Sequence, residues 1–292
     1  MPAYSFVDDI LDPYMRECSS EKRISTQKAE SSIANRLREF FVRHYISFSD
    51  SKMKHAINGS KVREYRERRK EKGVNPLTVR RELALASAAC NYAIAEWDYS
   101  MPNPFEKRLI SRKDERAVRH KRRKRIVTPA EQKQLILRLS PLLQDLLLFS
   151  VLTGLRQREM IELRWDQLHG NQIHFEPEQQ KNGTFGKQGL SKAAQEIIAR
   201  QPDEGELVFT RNGKKIEQRW LQREYKKIRE EVGIADTVWK DLRKTCGTRM
   251  LAAGGRIEDV KNQLGHSDVR VTQEVYAEDD IEGTLEVLER VG

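Results

Sequence analysis

Residues 153–159 read TGLRQRE and are followed at 163–165 by LRW, and this segment decides the interpretation of the whole chain. Three further short motifs follow it in order: LRKT at 242–245, LGHS at 264–267 and VTQEVY at 271–276. The first two motifs place Arg156 and Arg243 on separate segments. Because guanidinium groups are permanently charged and match the oxygens of a phosphate, these two arginines predict a site that holds one phosphodiester from two sides.

The chain around these motifs is long, polar and basic. Its 292 residues carry 54 Lys+Arg against 44 Asp+Glu, a net charge of +10, and the length is sufficient for a core without disulfides or a structural metal. An odd number of cysteines without a CxxC pair (Cys18, Cys90 and Cys246) predicts a reduced, cytoplasmic protein without a thiolate zinc site. The longest apolar stretch, 142–155, contains polar residues and predicts a core helix rather than a membrane span. The first ten residues lack a secretory signal pattern.

Most of the net charge lies in one segment. Residues 107–125 carry a net charge of +9, and so dense a basic block favours a polyanionic partner. We predict that it lies along a DNA backbone, where neutralised phosphates release counterions. The alternative is a solvated linker. The cations predicted to contact DNA are Arg119, Lys121, Arg122, Arg123, Lys124 and Arg125.

Helix-start and helix-stop signals flank this segment and divide the chain. Pro102 and Pro104 precede it, and Thr128-Pro129 follows it as the start of a helix with Glu131 at its third position. We therefore predict a helical domain at 1–105, a basic linker at 106–126 and a second domain at 127–292.

The two predicted domains differ in their patterns. In the first, apolar spacing predicts helices at 31–45 and 78–97, and the strongly charged segment 61–72, ended by Gly73, predicts another. We therefore expect a bundle of four or five helices without strands. In the second, it predicts helices within 131–139, 142–151, 157–165, 190–200 and 219–231, and strands at 172–175 and 206–209. Asn182-Gly183 is typical of a hairpin turn. The predicted fold class is mainly α, with a small antiparallel sheet in the second domain.

The ordered motifs resemble the catalytic boxes of the tyrosine site-specific recombinases, the phage-integrase family. The resemblance covers 127–292 and extends weakly to 75–105, which is similar to the core-binding domain of that family. It implies a DNA breaking-rejoining fold and an enzyme that integrates or excises a prophage or mobile element. It also implies that Tyr276 attacks DNA to form a covalent 3′-phosphotyrosine, with no metal or cofactor. A phenol with a pKa of about 10 is a poor nucleophile, so neighbouring cations must favour the phenolate.

The resemblance also implies a lysine on a hairpin that protonates the leaving 5′-oxygen. Lys181, directly before Asn182-Gly183, matches this position. Lys187 is the competing candidate, because residues 185–187 also read as a loop.

One position departs from the family pattern. Lys240 stands where the family usually has histidine, three residues before Arg243. At that spacing the two cations share a helix face, but a lysine is not a neutral base without a large fall in pKa. Either His266 assists proton removal from Tyr276, or the cationic cluster suffices. Glu159 is interpreted as orienting a neighbouring cation, with a solvated ion pair as the alternative.

The expected partner is double-stranded DNA, bound by a homo-tetramer on two duplexes and by a protein that is monomeric when free. Two alternatives remain open: a DNA-binding regulator without activity, and a type IB topoisomerase-like enzyme.

A short apolar stripe lies near the end of the chain, where Ile281, Leu285 and Leu288 recur at helical spacing. This stripe packs either on its own domain or on a neighbouring protomer.

Overall fold

The computed structural model describes residues 3–47, 55–106, 125–177 and 186–265. By the contacts between its residues, the chain divides into two compact units, Met1–Arg123 and Lys124–Gly292. The division falls within the basic segment at 107–125. The two units are described separately.

The first unit is helical with one small β-ribbon. A helical segment at 6–19 comprises π-helical turns at Phe6–Leu11 and Met15–Ser19 around a short α-helix, Asp12–Tyr14. The longer helices are α1 (Ile24–Phe41), α2 (Gly59–Glu71) and α3 (Pro76–Glu96). Strand β1 (Tyr4–Ser5) pairs antiparallel with β2 (Tyr45–Ile46), so the expectation of a strand-free unit was wrong. Two-residue strands are too short to show an alternating pattern in the sequence.

Local signals explain where these helices begin and end. The Asn58 side chain accepts hydrogen bonds from the first backbone N–H groups of α2, and Asn75 does the same for α3. Gly73 adopts a φ of +68° after α2, a conformation that glycine takes without steric cost. The helices predicted at 61–72 and 78–97 are confirmed, whereas the first one begins and ends earlier than its predicted range of 31–45. Phe6, Phe41 and Phe105 lie in contact at the centre of the core.

A buried carboxylate connects the three long helices of this unit. Glu82, which the sequence pattern placed off the apolar face of α3, is 0% exposed. Its oxygens accept hydrogen bonds from Arg36 Nε (2.9 Å), Arg69 Nε and Nη2 (2.9 and 2.7 Å) and the Tyr65 hydroxyl (2.8 Å). Burial and then the bond to Glu82 raise the pKa of Tyr65. A carboxylate is tolerated in a core only when it is paired in this way.

The second unit is mainly helical with a three-stranded antiparallel sheet, as predicted. Its helices are α4 (Pro129–Ile136), α5 (Pro141–Thr153), α6 (Gln157–Ile161), α7 (Lys192–Ala199), α8 (Gln218–Glu231), α9 (Trp239–Ala252) and α10 (Ile257–Leu264). The sheet has the order β3 (Leu168–His169), β4 (Gln172–Phe175), β5 (Gly186–Gly189). A separate hairpin joins β6 (Thr210–Arg211) to β7 (Lys214–Lys215).

Two predicted elements of this unit are wrong in detail. The helix expected over 157–165 ends at Ile161, and a short 3₁₀ turn follows at Trp165–Gln167. The strand expected at 206–209 is a single bridge between Leu207 and Arg164. The two errors have one cause, because the backbone at 163–165 leaves the helix to bond with 206–208: Val208 N donates to Leu163 O at 2.9 Å.

Helix α5 lies in the core of this unit and packs against α9 and α7. Leu146, Leu147 and Phe149 are fully buried, which confirms the prediction of a core helix. None of the described helices is long and apolar enough to cross a membrane.

Candidate active site

A glycine turn at the end of α5 sets the position of Arg156, the arginine of the first motif. Gly154 has a φ of +68° and closes α5, so that the chain reverses into Leu155 and Arg156. A Cβ on Gly154 would overlap Leu264 Cδ2 and lie 3.2 Å from Cys246 Sγ. The missing side chain therefore lets α9 and α10 approach the end of α5 closely.

Arg243 on α9 reaches into this junction. Its side chain is buried, with the residue only 9% exposed. Nη1 donates to Gly154 O at 2.7 Å, and Nη2 donates to Leu264 O. One guanidinium thus joins the turn that precedes Arg156 to the end of α10.

Arg156 lies at the start of α6 and is held by Glu159. The Glu159 carboxylate accepts from Arg156 Nη1 at 2.5 Å and from the Arg156 backbone N–H at 2.9 Å. The Glu159 side chain is 8% exposed, so this is not the solvated ion pair that the sequence left open. The Arg156 side chain is 36% exposed, which leaves it accessible from solvent.

Both arginines meet the last turn of α10. Arg156 Nη2 donates to Gly265 O at 3.4 Å, next to the Leu264 carbonyl that accepts from Arg243. Gly265 ends the helix with a φ of +58°, a conformation that glycine takes readily after the last residue of a helix. Cations are favoured at the carbonyl end of a helix. The structure therefore brings Arg156, Glu159 and Arg243 together immediately before position 266; His266 and Tyr276 themselves lie outside the described residues.

Lys240 occupies the first turn of α9, one turn before Arg243. The two side chains differ in access: Lys240 is exposed, whereas Arg243 is buried. Lys240 is thus an exposed cation one turn before the buried Arg243.

The predicted lysine hairpin is formed by β4 and β5. These strands pair antiparallel, with His174 opposite Lys187 and Phe175 opposite Gly186. Lys181 falls in the connection between them and lies outside the described residues. Lys187 is an exposed strand residue, so the loop expected at 185–187 is wrong for its last two residues, because they pair with β4. Desolvation and the charges of His169 and Lys187 lower the pKa of His174.

Sequence reasoning did not identify Gln263, which makes three hydrogen bonds to two other segments of the site, the end of α5 and strand β5. Its Nε2 donates to Thr153 O and to Gly189 O, each at 3.0 Å, and its Oε1 accepts from Gly189 N at 3.0 Å. No sequence signal distinguishes this glutamine from others on helix surfaces, because its partners are backbone groups distant in the chain.

The buried cysteine beside Arg243 is a packing residue. Cys246 contacts Val260 and Leu264, and burial raises the pKa of its thiol to about 11, although Arg243 and Arg249 act in the opposite direction. The thiol is therefore protonated near neutral pH. Within the described residues, no three His, Cys, Asp or Glu side chains are grouped so as to hold a metal ion.

Of the six cations predicted to contact DNA, the described part of the chain contains Arg125 alone, and this residue makes ion pairs within its own unit. Arg125 pairs with Glu131 (Nη2–Oε1, 2.5 Å) and Asp236 (Nε–Oδ2, 2.8 Å), so it stabilises the fold of its own unit.

The hydrogen bond from Arg125 lowers the pKa of Glu131 to about 2, with a further contribution from Thr128 at the start of α4. Because this pKa is depressed, the stabilisation is present above pH 4.5 and is lost as the pH falls toward 2.

Replacing Gly154 with Ala is expected to lower the free energy of unfolding by about 2–4 kcal/mol, since it adds both a strained φ and an overlap with Leu264. Thermal or urea unfolding measures the change. Gly233→Ala is the matched control, because Gly233 also has a positive φ (+78°) but nothing lies within 4 Å of its Cβ position. Equal losses in the two variants would show that close packing at Gly154 is unimportant.

Comparison with known proteins identifies the family. The chain belongs to the phage integrase family, whose model matches residues 116–282. It is similar to the tyrosine recombinase XerC of Lactobacillus delbrueckii subsp. bulgaricus, with 26% identity over 133 residues, which is 41% of this chain and 45% of the relative. XerC of Rhizobium meliloti is 34% identical over 79 residues, 27% of this chain and 24% of the relative. The chain thus spans less than half the length of these curated relatives.

Two solved structures share the fold. The Tn1549 transposon integrase (residues 82–397, Y379F), in complex with transposon right end DNA, has a TM-score of 0.75 at 17% identity, covering 98% of this chain and 99% of the other. A lambda integrase (75–356) dimer bound to a COC′ core site has a TM-score of 0.70 at 15% identity, covering 89% and 95% of the two chains. At these identities the likeness establishes the fold.

Proposed function

We propose that this protein is a site-specific tyrosine recombinase that integrates or excises a prophage or mobile element. The observation that carries the proposal is the meeting of Arg156 and Arg243 at the carbonyls of Leu264 and Gly265. Two permanent cations from separate segments, held beside position 266, suit a phosphodiester that gains negative charge during attack.

The reaction assigns one role to each group. The Tyr276 oxygen attacks the scissile phosphorus while Arg156 and Arg243 stabilise its non-bridging oxygens. The bond to the 5′-oxygen breaks, and the hairpin lysine, Lys181 in preference to Lys187, supplies the proton that this oxygen gains. The phenol proton passes to His266 or to solvent near the cationic cluster.

Two further groups act on this reaction without taking part in bond changes. Glu159 orients Arg156, and the exposed Lys240 adds positive charge at the edge of the site. Because one phosphodiester is exchanged for another, rejoining requires neither ATP nor a metal ion.

The partners follow from the same proposal. Residues 1–105 form a core DNA-binding domain, 106–126 a basic linker and 127–292 a catalytic domain, acting on double-stranded DNA in the bacterial cytoplasm. We propose a monomer in free solution and a tetramer on two duplexes. The similar structures include a lambda integrase tetramer bound to a Holliday junction, at a TM-score of 0.72 and 16% identity, which supports this assembly.

Trapping of covalent complexes tests the proposed function. Purified protein is incubated with fragmented DNA that includes the regions flanking its gene, denatured with SDS, and the attached fragments are sequenced. The proposal predicts adducts at a small number of related sites. Relaxation of supercoiled DNA without site preference would instead indicate a type IB topoisomerase-like enzyme, and binding without adducts would indicate a regulator.

The proposed role of the linker gives a quantitative expectation. Changing Arg122, Arg123 and Lys124 to Ala should weaken binding to all DNA sequences and reduce the slope of log K against log salt by about 0.9 for each lost phosphate contact. Filter binding or fluorescence anisotropy over a salt series measures the slope. Arg125→Ala is the matched control: its ion pairs with Glu131 and Asp236 predict a lower melting temperature with an unchanged slope. An unchanged slope in the triple variant would indicate a solvated tether.

A further inference from the structure

The side-chain amide of Gln263 makes three hydrogen bonds, all of them within the second unit. Its amide group donates twice, to Thr153 O and Gly189 O, and accepts once, from Gly189 N, all at 3.0 Å. Gly189 is the last residue of β5, an edge strand of its sheet, and its N–H and C=O face away from β4. The glutamine amide therefore bonds to this edge as the peptide group of a neighbouring strand would.

Each segment that Gln263 joins carries a part of the proposed site. Thr153 ends α5 three residues before Arg156. Strand β5 belongs to the hairpin that carries both candidate lysines. Gln263 itself directly precedes Leu264 and Gly265, whose carbonyls accept from the two arginines.

The contact is specific to a glutamine at this position. A Cβ on Gly189 would lie 3.4 Å from Gln263 Oε1, so the amide lies directly against this residue. Glutamate has the same shape but would direct a carboxylate oxygen at the carbonyls of Thr153 and Gly189, where no donor would remain. The two donated hydrogen bonds can thus be removed with almost no change in side-chain volume.

We propose that Gln263 is a positioning residue that holds the β4–β5 hairpin in place relative to Arg156 and Arg243. Its function is to set the distance between the hairpin lysine and the phosphate that the arginines hold, and so to support protonation of the leaving 5′-oxygen. The inference rests on the proposed recombinase function. It is independent of which lysine is the acid, because Lys181 and Lys187 belong to the same hairpin.

A DNA substrate with sulfur in place of the scissile 5′-oxygen tests this role. A thiol has a pKa of about 8.5, far below that of an alcohol, so the sulfur leaves as a thiolate and needs no proton from the enzyme. Cleavage of the oxygen and sulfur substrates is measured under single-turnover conditions for the parent, Gln263→Glu and Gln263→Met. The ratio of the two rates is taken from one preparation of each variant and is independent of the fraction of folded protein.

Gln263→Glu is expected to cleave the oxygen substrate about 10- to 100-fold more slowly than the parent, since a small misplacement of a catalytic group has effects of this size. On the sulfur substrate the loss should be below about threefold, because general acid catalysis is no longer required. Gln263→Met should show the same difference between the oxygen and sulfur substrates as Gln263→Glu. Asn262→Ala, an exposed neighbour on α10, is the control and should match the parent on both substrates.

Two results would overturn the inference: an equal loss on both substrates, which indicates a purely structural role, and parental rates on both. A parent protein that cleaves neither substrate would instead contradict the proposed recombinase function, so the two failures are distinguishable.

Discussion

The Tyr276→Phe variant is expected to form no SDS-resistant adduct with DNA while binding DNA as tightly as the parent. Phenylalanine keeps the ring but removes the oxygen that would form the bond to phosphorus, so the covalent step has no nucleophile. Incubation with a nicked target site, followed by denaturing gel electrophoresis, measures the adduct. Gel shift under native conditions measures binding.

A second tyrosine provides the control for this experiment. Tyr225 is buried in α8, and its hydroxyl bonds to Thr237 Oγ1 at 3.1 Å. Tyr225→Phe should lower stability by about 1 kcal/mol, the net contribution of one hydrogen bond, and still form the adduct. An adduct formed by Tyr276→Phe would exclude Tyr276 as the nucleophile.

Arg243→Lys is expected to reduce the rate of cleavage about 100- to 1000-fold, the usual loss when one positioned donor to a developing oxyanion is removed. Lysine keeps the charge but does not reproduce the planar group that spans Gly154 O and Leu264 O. Single-turnover cleavage at saturating protein measures the effect on chemistry apart from binding.

The matched variant is Arg249→Lys, on the same helix. Arg249 donates to Gln132 Oε1 at 2.7 Å and to Val127 O at 3.3 Å. Its planar guanidinium therefore also joins distant segments, but it does not bond to the turn at Leu264 and Gly265 that Arg156 and Arg243 contact. We expect it to lose stability without a comparable loss of cleavage rate. Similar losses of cleavage in both variants would indicate that Arg243 acts through folding alone.

The sequence predicted those parts of the site that depend on short local motifs. Gly154 and Gly265 each close a helix in the structure, and both lie inside the motifs 153–159 and 264–267 from which the site was predicted. Arg156 and Arg243 were readable because their residue type carries the chemistry of phosphate binding. The mainly helical class followed from apolar periodicity in segments such as 78–97.

The remaining features depend on contacts between distant segments. Glu82 looked like a surface residue of α3, and only the arrival of Arg36 and Arg69 from two other helices makes its burial favourable. Gln263 bonds to backbone groups, which leave no mark on residue type. The backbone at 163–165 is extended, where the sequence predicted the end of a helix. Its hydrogen-bonding partner, 206–208, follows the sheet and α7 along the chain, so the local pattern gave no sign of this pairing.

The last turn of α10 is a single point on which the assembly of the site depends. It accepts from both arginines, and the side chain of Gln263 leaves the same turn for β5 and α5. Short helices open locally at a lower free energy than the core. Opening of this one turn would therefore release both arginine contacts and the hydrogen bonds of Gln263 together. Any ligand that binds the closed turn more tightly than the open one raises the population of the closed turn, by no more than its difference in affinity between the two states.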